Sequence, residues 1–169
     1  MISEEKKKVD SMTLSERRGE LVGIAAILLV SLFFIYHQVA NTGFFTSGFG
    51  IVEAFLFYGA AAVAILASLM RAITGRKSGS RPFELGSAIF WMFTSIWLLV
   101  TFPFNFAHLA DALPAFLRFA LAWVSNDIGW VILLLSTLGS LGTAIFTGAK
   151  LLGNTMGRQK VRSVAVQGS

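Results

Sequence analysis

The chain has 169 residues, 55% of them hydrophobic and only 14% charged, with a mean hydropathy of +0.71. A soluble domain carries about 25% charged residues, so this composition, with sixteen Phe and four Trp, indicates a membrane protein with room for one compact unit. The absence of Cys excludes disulfides, thiolate metal sites and cysteine nucleophiles, and the net charge of +5 is distributed in a way that speaks against nucleic acid.

Residues 1–20 form a mixed-charge lead in which Thr13-x-x-Glu16 has the form of a capping box. Helix 1 is therefore expected to begin before the apolar run and continue into the membrane. Runs with almost no charge then cover Leu21–Ala40, Ile51–Met70, Leu85–Phe102 and Ile128–Ala149. Each is close to the roughly 20 residues that cross a hydrocarbon core. The first run is longer than the apolar region of a signal peptide, so it is read as a retained span, and Arg17-Arg18 as a topology signal rather than an export signal.

Lys and Arg fall into three groups. Lys6, Lys7, Lys8, Arg17 and Arg18 precede span 1. Arg71, Arg76, Lys77 and Arg81 lie between spans 2 and 3. Lys150, Arg158, Lys160 and Arg162 follow span 4 in a basic tail over residues 151–169. Thus 13 of the 14 basic residues share one side and only Arg118 lies on the other. The positive-inside rule then places both termini in the cytoplasm, and the same residues are suited to touching anionic lipid.

The spans are of two kinds. Span 4 repeats small residues every fourth position, Ser136, Ser140, Ala144 and Gly148, with Gly139, Thr143 and Thr147 beside them. Span 2 carries Ala60, Ala64 and Ser68 at the same spacing. Small stripes let helix backbones approach closely in lipid. Spans 1 and 3 carry bulk instead: Phe33, Phe34 and Tyr36, then Phe90, Trp91, Phe93 and Trp97. The expectation is that helices 2 and 4 make the tight contacts within the unit, with association to another subunit as the competing use of a small stripe.

The connection from Pro103 to Asp127 is the longest. Pro103 ends span 3, and Asp111, Arg118 and Ser125 form a narrow polar strip among Phe116, Leu117, Phe119, Leu121 and Trp123. This predicts an amphipathic helix over about 106–125 lying in the interface, with Trp123 and Trp130 in the aromatic belt. Asn126 or Asp127 then caps helix 4.

The outer half holds few ionisable groups. His37, Glu53, His108 and Asp111 are the candidate metal ligands, since two histidines and two carboxylates could hold Zn²⁺ or a similar divalent ion. Histidines on different helices could alternatively bracket a haem iron. Against this, Glu53 in a first helical turn suits the dipole alone, and His108-x-x-Asp111 has the spacing of a turn-orienting pair. No metal motif, phosphate loop or nucleophile elbow is present, and no cofactor is expected.

The architecture expected is all-α: a bundle of four transmembrane helices over residues 21–150, with an interfacial helix between helices 3 and 4. The function expected is non-enzymatic helix association, as an accessory or structural subunit or a self-assembling homo- or hetero-oligomer in membrane lipid. A small oligomeric channel or transporter with an outer vestibule at Glu53 and His37 is the alternative. A metal- or haem-binding protein using His37 and His108 is the second.

Overall fold

The computed structural model describes residues 11–75 and 81–167, with side chains described as far as residue 153. Lys6, Lys7, Lys8, Arg76 and Lys77 lie outside the described residues, as do the side chains of Arg158, Lys160 and Arg162. Four long helices follow one another: α1 (Leu14–Val39), α2 (Ile51–Thr74), α3 (Arg81–Thr101) and α4 (Asn126–Gln167). Two 3-10 helices, Phe106–Ala112 and Ala115–Ala120, lie between α3 and α4. Each long helix has a stretch long and apolar enough to cross a membrane, in α4 the part Asn126–Gly153. The described chain is all-helical, and it has the make-up of a multi-pass membrane protein.

Helix boundaries follow from local chemistry. The Thr13–Glu16 capping box forms: the Glu16 N–H donates to Thr13 Oγ1 at 3.2 Å, and the Thr13 N–H donates to Glu16 Oε2 at 2.8 Å. These bonds satisfy two donors that a helix start leaves orphaned, so α1 begins ahead of its apolar run. At the same end of the α1–α2 pair, Gly75 caps α2 in a left-handed conformation, φ 60°. A Cβ there would lie 1.7 Å from an Arg17 guanidinium nitrogen. Gly75 also accepts a 2.8 Å bond from the Met12 N–H. Only glycine meets both demands, and this cap ties the start of α1 to the end of α2.

Packing runs in chain order. α3 lies along α4, α2 lies between α1 and α3, and the backbones of α2 and α4 do not meet. Helices 2 and 4 each pack on α3 rather than on one another. The physical reason is that each small face receives a bulky side chain of α3. Trp91 Nε1–H donates to Ser136 Oγ at 2.6 Å. Phe90 lies 3.4 Å from where a Cβ on Gly59 would stand, and Leu85 lies 4.0 Å from the same point on Gly148. Ala60, Ser68 and Ser140 are buried, while Ala64, Ser136, Ala144 and Gly148 are half-buried. Small-against-large packing fills space as well as small-against-small, and in lipid that filling is the main source of helix affinity.

The connection between α3 and α4 also differs from the expected amphipathic helix. Pro114 has no N–H and pushes the preceding Leu113 into extended backbone, φ −92° and ψ 148°. Two short 3-10 helices result instead of one α-helix. The first buries Leu109 and Ala110. The second buries none of its residues and leaves Phe116 and Phe119 exposed. Asn126 is not the cap of α4: its Oδ1 accepts from the Phe106 N–H at 2.7 Å. Ser125 Oγ takes that role, accepting from the Ile128 N–H at 3.4 Å. Asn126 instead holds the first 3-10 helix against the start of α4, where Phe106 closes over Gly129.

The core is gathered at the end of the molecule formed by the α1–α2 and α3–α4 connections. Phe44, Leu98, Phe104, Leu109 and Val124 are buried there, with six partly buried Phe residues among the side chains packed against them. The two connections are joined by backbone bonds, Asn105 N–H to Phe44 C=O at 2.7 Å and Thr46 N–H to Pro103 C=O at 3.0 Å.

Candidate functional sites at the two ends of the helices

All four candidate ligands at the aromatic end have structural partners, His37 and Glu53 on helices and His108 and Asp111 in the connection between α3 and α4. His37 is 1% exposed, with the rings of Phe33 and Phe44 at 4.8 Å and 4.9 Å from its own. Its Nε2 faces the Leu109 carbonyl at 3.1 Å, so that nitrogen carries the proton and donates. Its Nδ1 is bonded to the Thr42 hydroxyl. Both ring nitrogens are thereby engaged, and His37 ties α1 to the first 3-10 helix through backbone rather than through a side chain. Glu53, 8% exposed, accepts from the Gly50 N–H at 2.9 Å and from Trp97 Nε1–H at 2.9 Å. It caps its own helix and holds α3.

His108 Nδ1 lies 2.8 Å from Asp111 Oδ2, and Arg118 stands 3.7 Å from the other Asp111 oxygen. The bond from His108, with the charge of Arg118 behind it, holds the Asp111 carboxyl below its ordinary value of 3.8. The His108 ring covers Gly43, where a Cβ would stand 3.1 Å from it. Among the described residues, no three His, Asp or Glu side chains come together in a set that could hold a metal ion. The four candidates are thus near one end of the molecule but are distributed over separate contacts.

The opposite end carries a different arrangement. Arg71, at the end of α2, forms a two-pronged pair with Glu20 of α1, Nε–Oε1 2.7 Å and a second nitrogen to Oε2 2.9 Å. The same guanidinium reaches Glu84 of α3 at 3.2 Å and Ser68 Oγ at 3.0 Å. The planar fork of Arg suits such a shared node better than the point charge of Lys. Around it opens a cavity of about 650 Å³, lined also by Glu16, Arg81 and Lys150. A second cavity of about 380 Å³ continues toward the middle of the helices and shares Arg71, Glu84 and Thr143 with the first.

The chain matches no protein-family model, no curated protein and no solved structure.

Two features escaped the reading of the sequence. The Arg71 node unites residues far apart in the chain, and in sequence Arg71 reads only as one more basic residue between spans. Gly19-x-x-x-Gly23 on α1 has the spacing of a helix-association face. In the fold, a Cβ at either glycine would meet nothing within 4 Å.

Proposed function

We propose that the protein is a non-enzymatic membrane component that works by helix association, either with a second copy or as an accessory subunit of another membrane protein. The observation that carries this reading is the condition of α1. No residue in its membrane-length window is buried, whereas each of the other three spans buries part of its own. α1 packs along α2 and touches the first 3-10 helix, and its backbone meets neither α3 nor α4. Gly19 borders the larger cavity, but at Gly23 a Cβ would meet nothing within 4 Å, and an edge helix bare there can accept a partner backbone closely without repacking its own fold. On the opposite edge, α4 presents Gly142 with nothing within 4 Å of a Cβ, beside exposed Leu138, Leu141 and Ile145. In the membrane both termini face the cytoplasm, on the strength of the positive-inside distribution.

The test uses the bare glycines, where a larger side chain has room in the monomer. Gly23→Leu and Gly142→Leu are expected to retain helix content and thermal stability while lowering the oligomeric or partner-bound fraction at least tenfold. The fraction is read by mass photometry in nanodiscs and by crosslinking in native membranes. If wild type is monomeric in both settings at every lipid-to-protein ratio, the association reading fails. If both variants assemble like wild type, the edges are not the contact.

A further inference from the structure

The paired cavities at the Arg71 end have a shape and charge pattern that association through the outer edges does not use. The larger one is lined by three carboxylates, Glu16, Glu20 and Glu84, and three cations, Arg71, Arg81 and Lys150. Among the described lining residues the charges number three against three, but they are not evenly neutralised. Arg71 is committed to Glu20 and Glu84. Arg81 and Lys150 have no carboxylate partner among the described residues, and Lys150 Nζ lies 3.9 Å over the Phe146 ring. Arg81 opens α3, where the helix dipole adds to its attraction for an anion. Glu84 keeps 39% of its side chain exposed beside it. One rim thus favours a phosphate and an adjoining one favours a cation that can donate hydrogen bonds.

The smaller cavity leads from this rim along Ala64, Ala67, Ala88, Trp91, Gly139 and Thr143. The polar groups on its wall are largely satisfied within the protein. Thr143 and Ser140 donate to the backbone of their own helix, and Ser136 accepts from Trp91. Ser68 accepts from Arg71. A wall of methyls and spent hydroxyls has little to offer a solvated guest. It suits an alkyl chain entering between α2 and α4, whose backbones do not meet.

We infer that these two cavities form a binding site for a zwitterionic phospholipid with a primary ammonium headgroup, of the phosphatidylethanolamine type. The phosphate sits at Arg81 and Lys150, the ammonium at Glu84, and one acyl chain in the slot past Gly139. Commitment to a lipid rather than a free phosphate ester rests on the continuity of the charged rim with the slot. Commitment to a zwitterion rests on the partly exposed carboxylate of Glu84 lining the same cavity as Arg81 and Lys150. An ammonium that donates hydrogen bonds is preferred over a quaternary one because a carboxylate rewards donors.

The test is native mass spectrometry of the full-length protein. It is released from detergent after equal additions of phosphatidylethanolamine, phosphatidylcholine and phosphatidylglycerol of identical chains. Phosphatidylethanolamine adducts are expected to exceed each of the others at least tenfold. Arg81→Gln with Lys150→Gln should lower those adducts at least tenfold. Gly139→Leu, a position where a Cβ meets nothing within 4 Å, should remove them by filling the slot. Helix content, read by circular dichroism, should be unchanged in every variant, and Lys150→Gln alone, outside the Arg71 node, supplies a milder variant with a partial loss. Equal retention of the three lipids, preference for phosphatidylglycerol, or undiminished adducts in the folded double variant would each overturn the proposal. So would equally strong binding of soluble phosphoethanolamine, because the slot would then contribute nothing. Because adducts are counted on the monomer peak, the result stands apart from whether the protein associates.

Discussion

The two ends of this molecule hold the same helices together by opposite means. Where the connections cross, aromatic rings close around Phe44, which is 1% exposed, and His37 and Glu53 beside them are bonded to backbone, a hydroxyl and an indole. At the end carrying the Arg71 node, the helices are joined by ion pairs with side chains 19–39% exposed, and a cavity of about 650 Å³ opens beside them. Ring packing excludes water and fixes one geometry. Charges that keep their hydration hold helices at a distance and leave space for a guest. The difference marks the first end as the one that fixes the fold, while binding at the second end is the proposal made above.

The comparison can be broken most directly at Phe44. Its ring meets those of Phe34, Phe45, Phe104 and Phe106 at 5.0–5.5 Å. Phe44→Ala removes the shared contact and leaves a cavity with no water to fill it. A loss of about 3–5 kcal/mol is expected, measured by reversible unfolding in mixed micelles. A loss below about 1 kcal/mol would mean that the aromatic end is not the core it resembles.

Arg71→Met is the matching substitution at the other end, and a smaller effect is expected. The variant leaves Glu20 and Glu84 without their shared cation, which in a sealed interior would cost about 3–5 kcal/mol. The partial exposure of all three side chains lets water compensate, so about 1–3 kcal/mol is expected. Hydrogen exchange should rise in the first half of α1 and not at His37, because the node is one of two latches on that helix. Adding Glu20→Gln to Arg71→Met should recover part of the loss. An effect as large as that of Phe44→Ala would show both ends to be equally structural, and the division of labour would fall.

How far each end could be read in the sequence follows from the range of the interactions involved. The spans, the Thr13–Glu16 cap and the stop before Pro103 depend on neighbours within one helical turn, and they stand in the structure where their residues place them. The pairing of α3 with α4 depends on which bulky ring meets which small face. Trp91 and Ser136 are 45 residues apart, and stripe spacing alone carries no information about the partner. Arg71 and Glu20 are 51 apart. The 3-10 geometry of the 106–120 connection was obscured because its seven-residue polar spacing fits an α-helix equally well, while the decisive residue is Pro114. Gly19-x-x-x-Gly23 was readable but lies among Arg17, Arg18 and Glu20, where a charged lead conceals the start of a membrane helix. At the candidate site, His37 and the connection do meet, as their position near one level of the membrane suggests. The contact is made to a backbone carbonyl, which no side-chain pattern displays.

The smallest effect sharpens the comparison at the aromatic end's exposed margin. Asp111 is held below its ordinary value of 3.8, chiefly by the bond from His108 and further by Arg118. A carboxyl whose value falls on folding favours the folded state when it is ionised. That contribution is complete above its unfolded value and disappears as pH falls through the lower, folded one. Protonation of Asp111 itself therefore removes this contribution only in the region below about pH 4. The expected outcome is that Asp111→Asn lowers stability slightly near neutrality and flattens the acid limb of the stability curve, so that wild type and variant converge below pH 3. His108→Ala should weaken the same limb more than Arg118→Ala does, because the 2.8 Å bond dominates over a charge at 3.7 Å.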